Sequence, residues 1–252
     1  MRTLSFINLK GGVGKTTIAT NVAYALAESW DVKVLFIDND KQGDASSWFN
    51  AHRNGTLTNI LLDGNSAEEV IQRTRYPNID ILPSDMGLID AQRAVIKNDT
   101  TRQDDILKKA LAKVTDKYDI CIIDSPPDVN ICVFNALVIT DDVIIVTEPS
   151  LYSLDGVYKM ADEIKKATRY NQKLNLCGVL LNKFQNTTTG YSCIDELEKH
   201  FSVFDTRIRM GRTTKDRLDS AVFKKKSIYE TSPTCGFARD LIKFIEKLIQ
   251  GE

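Results

Sequence analysis

The 252-residue chain carries 42% hydrophobic side chains, enough for a full core, and a formal charge of −1 that excludes a generally basic nucleic-acid coat. No apolar run approaches the roughly 18 residues of a spanning helix, and nothing near Met1 reads as a signal peptide, so a cytoplasmic protein is expected. Five cysteines, Cys121, Cys132, Cys177, Cys193 and Cys235, without a C-x-x-C pair give no support to a disulfide frame or zinc site, and His52 and His200 are isolated.

The first apolar run, Leu4 to Leu9, reads as a strand that delivers Lys10-Gly11-Gly12-Val13-Gly14-Lys15-Thr16-Thr17 directly before a helix, expected from Lys15 to about Glu28. In a loop of this composition the glycines let backbone N–H groups close round phosphate oxygens, the lysine Lys15 neutralises charge, and the Thr16 hydroxyl ligates Mg²⁺. The strict pattern G-x-x-x-x-G-K-[ST] fails at one position, where Leu9 replaces the first glycine, and Lys10 adds a second lysine at the mouth.

The next strand, Val32 to Ile37, ends in Asp38-Asn39-Asp40-Lys41-Gln42-Gly43-Asp44. A strand end of this kind holds Asp40 near the phosphates, although alone the segment also reads as an ordinary Asx turn. Short helices are expected around Trp48 and at Ala67 to Val70, a strand at Ile79 to Pro83, and helices near Met86 to Ile96 and Asp104 to Val114. Ile120-Cys121-Ile122-Ile123-Asp124-Ser125-Pro126-Pro127 reads as a buried parallel strand whose Asp124 emerges at the nucleotide edge, where a carboxylate is held to Mg²⁺. The two prolines stiffen the turn, so displacing Asp124 or Asp128 would move the following helix, Asn130 to Val138, as a unit. Strand Val143 to Thr147, helix Leu154 to Thr168 and strand Leu174 to Leu181 complete the alternation. The expected fold is α/β, a mainly parallel, doubly wound sheet with helices on both faces, in a single nucleotide-binding domain over residues 1–252.

Together, the K-G-G-x-G-K-T-T loop, the D-x-D-x-Q-G segment and the D-S-P-P tail resemble the ParA/MinD family of deviant Walker A ATPases, most closely its ParA-type partition members. The family carries D-x-D-P-Q-G-N where this chain has Lys41 and Asp44 in place of proline and asparagine. The resemblance implies ATP and Mg²⁺ as ligands, held by residues 10 to 17 and by Asp124. It implies that Lys10 reaches across an ATP-dependent homodimer to the partner's phosphates, as an arginine finger does, and that Asp40 positions the attacking water. Asn182, at a strand end in Leu180-Leu181-Asn182-Lys183, falls where the family meets adenine and offers both a donor and an acceptor.

The segment Asp205 to Lys226 is locally basic, with Arg207, Arg209, Arg212, Lys215, Arg217, Lys224, Lys225 and Lys226 against three aspartates. A charge run is commonly just a solvated face. In ParA-type ATPases the corresponding region holds non-specific DNA through phosphate contacts, which implies nucleoid association and a centromere-binding adaptor, either ParB-like or of the small ribbon-helix-helix type. The family's I-P-R-N segment here reads Ile208-Arg209-Met210-Gly211-Arg212, so individual contacts do not transfer. With the first motif at residue 10, no N-terminal helix-turn-helix and no operator autoregulation are expected. The final helix, Ala238 to Ile249, carries a broad apolar stripe and is expected to pack on the core, with only Gly251 and Glu252 beyond it, so a membrane anchor is not expected. The rival readings are a MinD-like membrane-associated spatial regulator and a dethiobiotin-synthetase-like ligase.

Overall fold

The computed structural model describes residues 1–51, 55–97 and 103–250. His52, Gly251 and Glu252 lie outside them. The apolar runs form strands β1 (Arg2–Ile7), β2 (Val34–Asp38), β3 (Gln72–Arg73), β4 (Ile79–Leu82), β5 (Ile120–Asp124), β6 (Asp142–Thr147) and β7 (Asn175–Leu181). They make one sheet of order β3-β4-β2-β5-β1-β6-β7, parallel throughout except for the two-residue β3, which pairs antiparallel with β4. Helices α1 (Lys15–Trp30), α2 (Asp44–Phe49), α3 (Leu57–Asp63), α4 (Ala67–Val70), α5 (Leu88–Lys97), α6 (Ile106–Leu111) and α7 (Ile131–Ile139) lie between or after these strands. They are followed by α8 (Leu151–Ala167), α9 (Thr188–Glu198), α10 (Arg212–Phe223), α11 (Ile228–Thr231) and α12 (Gly236–Gln250).

Alternation along the strands divides the core, because successive side chains leave a strand on opposite faces. Val34, Phe36 and Ile122 turn toward α1, α2 and α12, whereas Leu35, Ile37 and Ile123 turn toward α3, α5 and α7. A third cluster under α8 and α9 gathers Ile7, Ile145 and Leu181. Both faces are therefore covered, as a parallel sheet requires.

Expected and observed elements agree for the six longer strands and for α1, α7 and α8 to within a few residues, whereas the two-residue β3 was not expected. Helices α3, α9, α10 and α11 were not expected; they are short or polar on their exposed sides, and tertiary packing rather than apolar periodicity fixes them. As expected, α12 packs on the core: Phe237, Leu241, Phe244, Ile245 and Leu248 are all buried. No helix among the described residues is long and apolar enough to cross a membrane. The Phe244 ring meets Phe204 edge-on at 4.9 Å and is fully buried. Replacing it with alanine should therefore cost about 3–5 kcal/mol, read as a lowered urea midpoint with an unchanged slope.

Candidate functional site

Three strand ends converge because of register. Asp38 on β2 lies opposite Asp124 on β5, which lies opposite Phe6 on β1. The glycine loop after β1, the Asp38–Asp44 segment and the Ser125–Pro127 turn thus share one edge, outside the carboxyl ends of the strands where open α/β sheets place ligands. Gly14 adopts φ 95 at the N-terminus of α1, and a Cβ there would stand 2.3 Å from Asn182 Nδ2, so only glycine fits. The amide of Asn182 donates to Val13 O at 2.8 Å, while its buried Oδ1 has no partner. The sequence expectation of a base-facing Asn182 thus meets a side chain half committed to the loop itself.

Lys15 is buried, with Nζ 3.4 Å from Lys10 O. Burial lowers its pKa, and the carboxylates of Asp124 and Asp40 pull it back up. Thr16 Oγ1 donates to Asp124 Oδ2 at 2.6 Å, and the second oxygen, Asp124 Oδ1, is buried with no partner. Burial, reinforced by the neighbouring Asp38, holds the Asp124 carboxyl far above the usual range. A hydroxyl and a carboxylate with a spare buried oxygen are the hard donors that Mg²⁺ takes, so this pair could hold the ion.

Asp38 is itself fully buried, and its pKa is pushed up to about 6, chiefly by that burial. It accepts hydrogen bonds from Ser46 N at 2.8 Å, Ser46 Oγ at 2.7 Å and Asp40 N at 3.1 Å, which clamps the turn between β2 and α2. Asp40, half-buried, faces a cleft of ≈ 280 Å³ together with Gln92, Pro127 and Asp128. The clamp therefore aims Asp40, not Asp38, at the space beside the phosphate loop.

Lys10 turns away from its own loop. Its ammonium pairs with Glu148 just beyond β6 and donates to Ser150 Oγ at 3.2 Å and Ser153 Oγ at 3.0 Å. Glu148 is also 3.7 Å from Lys183, whose ammonium donates to Gly12 O. The Lys10 ammonium is thus held outside its loop by one carboxylate and two hydroxyls.

The AAA domain family model AAA_31 matches residues 1–176. The sporulation initiation inhibitor protein Soj of Bacillus subtilis is 32% identical over 203 residues, 79% of each chain. The chain belongs to the ParA/Soj family of P-loop ATPases. The virulence plasmid ParA family protein pGP5-D of Chlamydia psittaci is 27% identical over 98% of this chain and 94% of its own. Among solved structures, cobyrinic acid a,c-diamide synthase of Mycobacterium smegmatis with bound ATP analogue and magnesium superimposes with a TM-score of 0.82 over 99% of this chain and 95% of that one. At 22% identity it speaks for the fold.

In this ParA/Soj-family chain the basic segment is divided. Arg209 makes a bidentate pair with the buried Asp240 of α12, with contacts of 2.8 and 2.6 Å, and Arg207 lies over the rings of Phe184 and Tyr191 at 5.3 and 5.6 Å. Both guanidinium groups are thereby engaged within the chain. Arg212, Lys215, Arg217, Lys224 and Lys226 are exposed and Lys225 is half-buried. Sequence reasoning missed Asp38, Ser46, Glu148, Ser150, Ser153 and Lys183. Glu148 had a readable signal, since it follows an apolar strand as Asp38 and Asp124 do.

Proposed function

We infer that this chain is an ATP-dependent dimerising switch, one ParA-like domain over residues 1–252, which binds non-specific DNA and drives partition of a plasmid or chromosome. The observation that carries this reading is the pair of lysines. Lys15 is buried under the phosphate loop, which supports a role at the chain's own nucleotide, whereas Lys10 sits outside on Glu148, which supports a role at a partner's. The likeness to a structure holding an ATP analogue and magnesium supports those ligands here, and the Soj and plasmid ParA relatives support the partition role.

In this account the loop N–H groups from Gly11 to Thr17 and the Lys15 ammonium bind the phosphates, and Asn182 Oδ1 accepts from the adenine amino group. Thr16 and Asp124 would hold Mg²⁺, which would supply positive charge at the phosphate oxygens. Asp40 orients the attacking water in line with the γ-phosphorus, and Lys10 from the second subunit meets the charge that develops there. Loss of that phosphate releases the segments around Asp40 and Asp128 and so the dimer. The exposed lysines and arginines of residues 212–226 contact DNA phosphates without base readout, which keeps the ATP form on the nucleoid. A centromere-binding adaptor, ParB-like or ribbon-helix-helix, stimulates hydrolysis. Sedimentation velocity tests the switch: a dimer is expected with Mg²⁺ and a non-hydrolysed ATP analogue and a monomer with ADP, and a monomer in both states would refute it.

A further inference from the structure

The turn that joins α10 to α11 is held by contacts from three directions. Lys225 adopts φ 52, the left-handed region that a side chain other than glycine rarely takes. Its carbonyl oxygen accepts from Arg75, whose guanidinium lies 5.4 Å from the Trp48 ring and 4.6 Å from the Tyr76 ring. Just beyond, Asn21 of α1 accepts from Ser227 Oγ and Ile228 N, both at 2.8 Å. Lys225 N and Lys226 N close the end of α10 on Val222 O and Ala221 O, both at 2.9 Å.

This rigid mount displays an apolar ring. Phe223 is 89% exposed, more than any other large hydrophobic side chain among the described residues, and Val222 beside it is 51% exposed. Leu218 and Ala221 hold the opposite side of α10 in the core. Phe223 and Val222 together form an exposed apolar spot at the end of α10, directly before the fixed turn at Lys225. Lys224, Lys225 and Lys226 follow it directly, so the complement is anionic with an apolar interior.

We propose that Phe223 is an uncharged DNA contact, a wedge seated in the minor groove while Lys224 and Lys226 take the flanking phosphates. Apolar side chains act in this way in minor-groove proteins, where partial unstacking of a base step is offset by closer wrapping. Asp219, one turn before Phe223, and Asp216, two turns before, repel phosphate and confine the contact to the C-terminal end of α10. An anionic membrane fits less well, because an interfacial helix needs an apolar face along its length. The exposed side of α10 carries Arg212, Asp216 and Asp219 before its two apolar residues.

The proposal rests on the DNA-binding reading, and a salt titration separates the two. Binding of random duplexes to the full chain with Mg²⁺ and a non-hydrolysed ATP analogue is followed by anisotropy between about 50 and 200 mM salt. A neutral contact releases no counterions, so Phe223→Ala should lower affinity by about tenfold or more, the scale of a lost base–aromatic contact, without changing the log–log slope. Phe223→Trp should restore it, and Lys224→Ala should instead flatten the slope by nearly one unit. Unaltered melting temperatures confirm that these surface variants fold. Equal affinity of Phe223→Ala and the parent, or a flattened slope, overturns the wedge and leaves the DNA reading standing. Loss confined to flotation on anionic vesicles also overturns it, in favour of a lipid contact. A parent chain that binds no DNA overturns both.

Discussion

Lys15→Ala should abolish Mg²⁺-ATP binding, whereas Lys10→Ala should bind nucleotide normally yet neither dimerise nor hydrolyse. The difference follows from where the two ammonium groups lie. Lys15 is 7% exposed and faces Asp124 and Asp40, so its removal leaves phosphates against uncompensated carboxylates. Truncating one member of such a buried charge pair costs about 2–5 kcal/mol, roughly 30- to 5,000-fold in affinity. The Lys10 ammonium meets Glu148, Ser150 and Ser153 rather than the inside of its own loop, so the chain's own nucleotide should not need it. If it acts across the dimer as an arginine finger does, stimulated turnover falls by roughly 10³-fold or more. Calorimetry with the ATP analogue and size-exclusion chromatography read the two effects separately. Undiminished turnover in Lys10→Ala would remove the trans-lysine mechanism.

Asp40→Ala should accumulate as an ATP-bound dimer, while Asp124→Ala should lose the response to Mg²⁺. Asp40 is half-buried beside an open cleft and is aimed there by the Asp38–Ser46 clamp, which alanine at residue 40 leaves in place. Loss of water positioning lowers turnover by roughly 10²–10⁴-fold without touching nucleotide capture. At Asp124 the loss is of the carboxylate that meets Thr16 and carries the orphaned Oδ1. Parental hydrolysis by Asp40→Ala would show that another group orders the water.

What was legible in the sequence is what local pattern determines. The glycine loop, Asp40 and Asp124 each end an apolar run, and parallel pairing brings such ends to one edge without further information. The partners that tune them are remote in sequence. Glu148 meets Lys10 across 138 positions and Asp240 meets Arg209 across 31, so neither pair follows from helix or strand periodicity. The basic segment shows the consequence, since charge counting treated eight side chains alike and the fold engages Arg207 and Arg209 internally. In the same way the apolar period of α12 identified its buried stripe but not Asp240, a buried acid within that stripe.

The central claim is that nucleotide state governs attachment to DNA. Parallel anisotropy on random duplexes and flotation on anionic liposomes, each with Mg²⁺ plus the ATP analogue and with ADP, test it most directly. Two subunits in a sandwich would present both basic segments at once, and engagement of about six phosphates would make affinity fall by roughly 10³-fold or more between low and moderate salt. Tight, salt-sensitive DNA binding is expected with the ATP analogue, weak binding with ADP, and no flotation in either state. ATP-dependent liposome binding without DNA binding would contradict the central claim and make this chain a membrane-associated switch.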